Sequence, residues 1–182
     1  MCIRDRFAGA ATVVLLGALN GELASGTAPL SGLGLIATAA WLLRYDIALR
    51  TIRMPGQPRF SAIAMLFGSL WLAVAGLVLL LLSPATSVFW QDAAIHAVTI
   101  GFVLSMVFAH APIILPAVTG LRLHVSVALY LPLALLQLSP ALRVAGDLLE
   151  LMSRRNVSGP LTVLALVLYA AVAAAGRRLK SL

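Results

Sequence analysis

The sequence predicts an all-α fold, a polytopic transmembrane bundle of about six membrane-spanning helices. Hydrophobic residues make up 62% of the 182 residues and charged residues 10%, whereas soluble domains average about 45–50% and about 25%. So few charges cannot cover a water-soluble globule of this size. The charges also divide the chain into apolar runs, and a membrane helix needs about 20 such residues. We therefore expect a single helical domain over residues 1–182, with lipid as its solvent.

The apolar runs predict the positions of the helices, and glycine and proline clusters predict the loops. Helices are expected near residues 7–24, 29–48, 60–83, 92–115, 123–146 and 159–177. Loop signals lie at Gly26 to Pro29, Pro55 to Pro58, Ser83-Pro84, Gly120 and Gly159-Pro160. Proline lacks the backbone N–H that a helix needs. The fourth and fifth helices are therefore expected to be interrupted at Pro112, Pro116, Pro132 and Pro140.

The first helix has two interpretations. Arg4 and Arg6 precede an apolar run that fits either a membrane span at 7–24 or a signal peptide cleaved near residues 23–25. Residues 1–6 also resemble a translated sequencing adapter. In that case these residues are not native, and the chain is truncated at its N-terminus.

Basic residues predict the orientation, because cytoplasmic loops are enriched in Lys and Arg. With six alternating spans, ten of the 13 basic residues fall on one side: Arg4, Arg6, Arg44, Arg50, Arg53, Arg59, Arg122, Arg177, Arg178 and Lys180. The other three, Arg143, Arg154 and Arg155, fall on the opposite side. Both termini are therefore predicted to be cytoplasmic. The net charge of +7 reflects these loops and not nucleic-acid binding. The expected partners are the lipid bilayer and either a homo-oligomer or a membrane complex.

Two histidines lie within the fourth predicted helix. His96 and His110 are 14 residues apart, which at about 100° per residue leaves them roughly 40° from alignment on one face. Ionisable groups inside a membrane are expensive and mark functional sites. Each histidine is therefore a candidate ligand for haem b or copper, with an interhelical hydrogen bond as the alternative.

The third histidine, His124, begins the fifth predicted helix. His110 and His124 would approach one haem or metal ion from two adjacent antiparallel helices. Three histidines are too few for two haems that each need two histidine ligands within one copy. The single cysteine, Cys2, excludes a metal site built from several cysteines.

A second set of polar residues lies near the predicted outer ends of the helices. It contains Glu22, Gln91, Asp92, His96, Arg143 and Asp147. Arg143 and Asp147 are at positions i and i+4, so they can pair on one helix face. Three roles stay open for this set: proton transfer, a seat for an anionic haem propionate, or a contact that holds three helices together.

Several catalytic motifs are absent from the sequence. It contains no Gly-rich phosphate loop and no H-E-x-x-H, G-x-S-x-G or Cys-x-x-Cys pattern. Hydrolase and nucleotide-driven functions are therefore disfavoured.

The stretch His96-Ala97-Val98-Thr99-Ile100-Gly101, followed by Ser105-Met106, Thr119-Gly120 and Leu142-Arg143-Val144, resembles the NnrS family of polytopic bacterial membrane proteins. The residues Trp41 to Asp46, and Trp71-Leu72 with Gly76, are similar to the preceding spans of that family. In the family's Gly-His-Thr-Gly-Arg motif, the positions of Gly-His and Arg are taken here by Ala117-Val118 and Leu121. Only His96 therefore carries over as a ligand.

This resemblance implies a haem- and copper-containing protein of the bacterial cytoplasmic (inner) membrane, linked to nitric oxide and nitrosative stress. The leading hypothesis is accordingly a membrane protein that binds haem through His96 and His110. The alternative is a non-enzymatic membrane transporter or assembly subunit without a cofactor. The sequence leaves enzymatic activity open.

Overall fold

A computed structural model describes residues 28–82, 89–119 and 126–178. The regular elements of these residues are all helical, which confirms the predicted all-α class. In chain order they are α1 (Ala28–Tyr45), α2 (Ala48–Thr51), α3 (Gln57–Leu81), α4 (Trp90–His96), a π-helical segment (Ala97–Leu104), α5 (Ser105–Thr119), a 3-10 turn (Val127–Leu129), α6 (Tyr130–Leu148) and α7 (Met152–Arg178).

Four helical stretches in the described residues are long and apolar enough to cross a membrane. They are Gln57–Leu81, Trp90–Val118, Val127–Leu148 and Met152–Gly176, with lengths of 25, 29, 22 and 25 residues. The prediction of six spans is not confirmed. The predicted span at 7–24, with its signal-peptide alternative, lies outside the described residues.

The predicted helix at 29–48 ends early. Helix α1 has 18 residues and stops at Tyr45, and it is not among the four stretches that meet the length and hydropathy of a span. The backbone turns at Asp46, whose Oδ1 accepts a hydrogen bond of 2.8 Å from the backbone N–H of Ala48. This side-chain bond competes with continuation of α1 and starts the short helix α2.

The prolines do not interrupt the helices as predicted. Helix α7 begins at Met152 and continues through Gly159-Pro160, which was expected to be a loop. Pro160 leaves the carbonyl oxygen of Asn156 without its helical partner, but both residues are exposed, so no buried group loses its hydrogen bond. Helices α5 and α6 likewise continue through Pro112, Pro116 and Pro140, and Pro132 lies in the first turn of α6.

Side chains replace the backbone hydrogen bond that Pro112 removes. Proline at this position frees the carbonyl oxygen of Phe108, and the hydroxyl of Tyr169 donates to that oxygen at 3.2 Å. The hydroxyl of Ser61 donates to the neighbouring carbonyl oxygen of Ala109 at 2.6 Å. The buried backbone around Pro112 is therefore hydrogen-bonded across the helix interfaces, as an apolar medium requires.

A π-helical segment separates His96 and His110 within the Trp90–Val118 stretch. It follows His96 directly and ends at Leu104, before His110. A π-helix bonds residue i to i+5 and so accommodates extra residues per turn; each one rotates the following helix by about 100°. The prediction that His96 and His110 share one helix face assumed a regular α-helix throughout, and the π-helical segment removes that assumption.

The helices pack with two hydrophobic clusters, one near each end of the bundle. One contains Phe60, Phe108 and Tyr169, with the rings of Phe108 and Tyr169 centred 4.1 Å apart. The other contains Trp90 and Val144 with several alanines. Helix α3 contacts α1, the α4–α5 span and α2, while α6 packs along α7.

Two glycines allow α1 and α3 to approach closely. A Cβ atom added at Gly76 would lie 2.7 Å from the carbonyl oxygen of Gly32 and 2.7 Å from Cγ1 of Ile36. No side chain fits without moving one helix away from the other. Gly159, in contrast, has no atom within 4 Å of the added Cβ.

We predict that Gly76→Ala lowers the thermal midpoint of unfolding of the purified protein in detergent, because overpacking typically costs about 1–3 kcal/mol. Gly159→Ala is the matched control, and it should leave the midpoint unchanged or raise it, since alanine is the better helix former. Equal midpoints for the two variants would contradict the close contact between α1 and α3.

Candidate functional site

Five ionisable side chains meet where α4, α6 and α7 lie together at one end of the bundle. They are Asp92, His96, Arg143, Asp147 and Arg155, and we call them the charge cluster. Asp92 lies in the first turn of α4 and His96 ends it. Arg143 and Asp147 are one turn apart on α6, and Arg155 lies in the first turn of α7.

Asp92 is the acceptor that joins the three helices. Its Oδ2 accepts hydrogen bonds from Nε and Nη2 of Arg143 at 3.0 and 2.5 Å, and from Nη2 of Arg155 at 3.3 Å. Its Oδ1 lies 3.3 Å from Nδ1 of His96. The side chain is 32% exposed, so this carboxylate connects the cluster to the protein surface.

Asp147 is the buried acid of the cluster, with no exposed surface. Its Oδ2 lies 3.4 Å from Nε of Arg143, and its Oδ1 lies 3.0 Å from Nε of Arg155. These are charge contacts at ion-pair distance, because no donor in the described residues meets hydrogen-bond geometry to either oxygen. The carboxylate is thus compensated in charge and unsatisfied in hydrogen bonding, which is a costly state for a buried polar group.

The turn between α6 and α7 brings Arg155 to Asp147. Glu150 adopts a left-handed backbone with φ of 55°, and the N–H of Leu151 donates to the carbonyl oxygen of Gly146 at 2.8 Å. Gly146 leaves room for α7, since a Cβ there would lie 3.0 Å from the backbone nitrogen of Arg155. The guanidinium of Arg155 then lies 3.7 Å above the ring of Phe89, a favourable cation–π position.

The structure brings together four residues that the sequence singled out, Asp92, His96, Arg143 and Asp147, and it adds Arg155. Arg155 was expected in a loop because Gly159-Pro160 was taken as the helix start. Charge balance was the available signal, because Asp92 and Asp147 together carry two negative charges and Arg143 alone cannot balance them. Gln91 is exposed, and Glu22 lies outside the described residues.

The charge cluster is electrically balanced without a metal ion. Ligand atoms of Asp92, His96 and Asp147 lie within 4.8 Å of one another, a spacing that a cation could bridge. Two arginines already contact the same carboxylates, and two negative and two positive charges sum to zero. A divalent cation would leave two excess positive charges in a buried site, so the cluster favours ion pairs over metal binding.

Both described histidines hold the same hydrogen bond to their own helix. Nδ1 of His96 lies 2.8 Å from the carbonyl oxygen of Asp92, and Nδ1 of His110 lies 2.7 Å from that of Met106. A carbonyl oxygen only accepts, so Nδ1 carries the hydrogen and Nε2 of the neutral ring keeps a lone pair. This is the tautomer of histidines that ligate a metal through Nε2. His124 lies outside the described residues.

A second polar contact, which the sequence interpretation missed, lies within the bundle. Nε1 of Trp71 donates to Oε1 of Gln137 at 2.8 Å, and Nε2 of Gln137 donates to Oγ of Ser105 at 2.9 Å. This contact joins α3, α6 and α5. The available signal was an amide side chain, Gln137, in the apolar run from Val127 to Leu138 of the fifth predicted helix.

The fold and the charge cluster define an all-helical protein with four helical stretches long and apolar enough to cross a membrane and with ionisable groups in its interior. The chain matches the family model described as "Domain of unknown function (DUF8744)" over residues 2–178, and it belongs to that family. No curated protein and no solved structure matches it.

The resemblance to the NnrS family is wrong. The family match covers nearly the whole chain and points to a different family, and no NnrS match accompanies it. The physical reason is the low information content of short apolar motifs. Histidine, threonine and glycine between aliphatic residues satisfy the general requirements of helix packing in lipid, so such patterns recur in unrelated membrane proteins.

We predict that Asp147→Asn destabilises the protein strongly. The change leaves Asp92 as the one carboxylate of the cluster that faces Arg143 and Arg155, and breaking a buried ion pair in this way typically costs about 3–5 kcal/mol. Glu150→Gln is the matched control, since Glu150 is exposed in the adjacent turn and such changes usually stay within about 0.5 kcal/mol. Thermal unfolding in detergent measures both variants, and wild-type stability of Asp147→Asn would contradict the ion pairing.

Proposed function

We propose that this protein translocates protons across the cytoplasmic membrane, and that the charge cluster is its proton-binding site. The observation that carries the proposal is Asp147, a fully buried carboxylate linked through two arginines to the partly exposed Asp92. Ionisable residues within membrane spans typically belong to ion pathways or proton relays.

Stability alone is a poor reason for this cluster. Apolar residues of similar volume often replace a buried ion pair without loss of stability, because desolvation offsets much of the attraction between the charges. The two oxygens of Asp147 also lack well-directed hydrogen bonds among the described residues. A role in binding a proton explains why the group is charged and incompletely satisfied.

Each arginine contacts both acids, so the arginines can respond when either acid binds a proton and loses its negative charge. Arg143 contacts Asp92 at 3.0 Å and Asp147 at 3.4 Å through Nε, and Arg155 contacts the same two residues at 3.3 and 3.0 Å. When one carboxylate is neutralised, both guanidiniums can therefore shift toward the other carboxylate by a small movement. His96 stands beside Asp92 and is only partly buried, so its imidazole is placed to exchange protons between solvent and the cluster.

Polar groups continue from the cluster into the bundle. Ser105, which contacts Gln137, lies nine residues after His96, at the other end of the π-helical segment. His110 lies five residues beyond Ser105. Such groups can lead protons through an apolar bundle when water bridges the gaps between them. They support a pathway toward the opposite membrane surface.

The cluster also supports the predicted orientation with both termini in the cytoplasm. Three basic residues opposed it, and two of them, Arg143 and Arg155, are paired with acids in the cluster. Only Arg154 then stands outside these ion pairs on that side. The bias of Lys and Arg toward the cytoplasmic side is correspondingly stronger.

A second candidate function is binding of haem b or copper, and the observation that favours it is the tautomer of His110. Its Nδ1 donates to the carbonyl oxygen of Met106, which leaves Nε2 for a metal. His124 is the proposed second ligand. The earlier hypothesis that His96 also ligates haem stays a prediction, since its ring lies against Asp92.

Proton movement is measured with the full chain in liposomes that contain a pH-sensitive dye and carry an imposed potassium diffusion potential. We expect wild-type protein to carry protons faster than protein-free liposomes. His96→Gln and Asp147→Asn should each lower the rate at least tenfold, because neither new side chain titrates. His96→Gln leaves the four charged residues in place, so its result is independent of the stability of the cluster.

Glu150→Gln removes a carboxylate outside the cluster and should transport at the wild-type rate. Wild-type protein that transports no faster than protein-free liposomes would overturn the proposal and leave the cluster with the role of holding three helices together. Equal rates for wild type and His96→Gln would exclude His96 from the pathway.

For the second candidate, purified protein incubated with haem b should show a Soret band that shifts on reduction with dithionite. We expect His110→Ala to lose this band, because the iron loses its Nε2 ligand, and loss of the band in His96→Ala would identify His96 as a further ligand. A protein that binds neither haem nor copper, as measured by absorbance and metal analysis, would exclude this function.

A further inference from the structure

The connection between α1 and α3 carries a concentrated positive charge. Residues 44–59, which we call the basic connection, contain four arginines and one acid, so their net charge is +4 − 1 = +3. All four arginines are exposed, namely Arg44, Arg50, Arg53 and Arg59. The single acid, Asp46, has its Oδ1 occupied by the backbone N–H of Ala48, and no ion pair between it and these arginines occurs in the described residues.

Exposed apolar side chains lie among these arginines in the sequence. Ile47 is 68%, Leu49 40% and Met54 51% exposed. Ala48, between two of them, is fully buried and anchors α2, which packs against α3. The segment is therefore fixed in place by one small residue while its large apolar and its basic side chains point away from the bundle.

The basic connection lies next to a helix that is long and apolar enough to cross a membrane. It joins the end of α1 at Tyr45 to the start of the membrane-spanning α3 at Gln57. Trp41 precedes it and Tyr45 lies near its start, with ring centres 6.1 Å apart, and Arg44 lies 5.4 Å from the Tyr45 ring centre. Tryptophan and tyrosine are enriched where the hydrocarbon core meets the headgroups.

We propose that the basic connection binds the headgroups of anionic phospholipids. Arginine forms bidentate hydrogen bonds with phosphate, and basic clusters next to a membrane helix are attracted to anionic lipids. A lipid also offers acyl chains beside its phosphate, and these can contact the exposed side chains of Ile47, Leu49 and Met54. A soluble anion or a nucleic acid offers charge without that apolar surface.

This surface is separate from the charge cluster. Helix α3 begins at the basic connection and runs to Leu81, and the cluster is built by α4 after the chain has crossed the bundle. The two sites therefore lie at opposite ends of the bundle. The lipid site does not rest on proton translocation, and either can fail without the other.

Native mass spectrometry of the full chain in detergent tests the proposal. Phosphatidylglycerol and phosphatidylcholine are added separately, and the bound lipid is counted at each concentration. We expect wild-type protein to retain phosphatidylglycerol at least tenfold more tightly than phosphatidylcholine. Arg50→Gln and Arg53→Gln should each weaken phosphatidylglycerol binding about threefold, and the double variant about tenfold, with phosphatidylcholine binding unchanged.

Arg154→Gln is the matched control, since Arg154 is an exposed arginine at the opposite end of the bundle, and it should bind phosphatidylglycerol as wild type does. Equal retention of the two lipids by wild type would overturn the proposal, as would undiminished phosphatidylglycerol binding by the double variant. Inorganic phosphate is added as a separate probe. Displacement of phosphatidylglycerol at equimolar phosphate would assign the surface to phosphate alone and overturn the lipid assignment.

Discussion

Asp147 lies among apolar helices with no exposed surface, and a carboxylate in that environment is stable only with opposite charge beside it. The arrangement of one whole end of the bundle follows from this requirement. Arg143 reaches the acid from the same helix, while Arg155 reaches it from α7 after the tight turn at Glu150. The excess positive charge of two arginines is in turn balanced by Asp92 from α4. Charge compensation therefore joins three helices at one point.

The same apolar environment constrains the backbone. A carbonyl oxygen freed by proline inside a membrane has no water to bind, so Pro112 is tolerated because the hydroxyl of Tyr169 donates to Phe108. The π-helical segment between His96 and Ser105 affects side-chain direction and not hydrogen bonding. It changes the direction in which the second half of the span presents its side chains while every residue stays helical.

The two ends of the bundle differ in whether their charged side chains are paired and how far they are exposed. At the charge cluster, acids and arginines are paired and partly withdrawn from solvent. At the basic connection, four arginines are exposed beside large apolar side chains. Paired charges within a span suit proton transfer, whereas unbalanced charge at the surface suits the anionic headgroups of a leaflet. Because the two proposed sites lie at opposite ends of the bundle, the proposed lipid site and the charge cluster would face opposite surfaces of the membrane.

Composition and spacing alone predicted a helical fold with helices apolar enough to cross a membrane, and they singled out Asp92, His96, Arg143 and Asp147 together with Glu22, Gln91, His110 and His124. These conclusions depend on local properties, such as hydropathy over about 20 residues or a four-residue separation on one helix. Only the tertiary structure decided that Arg155 completes the cluster and that the fourth span contains a π-helical segment. Arg155 and Asp92 are 63 residues apart, and nothing local indicates that they meet. Such contacts are selected by the need to compensate buried charge, which exists only once the helices have packed.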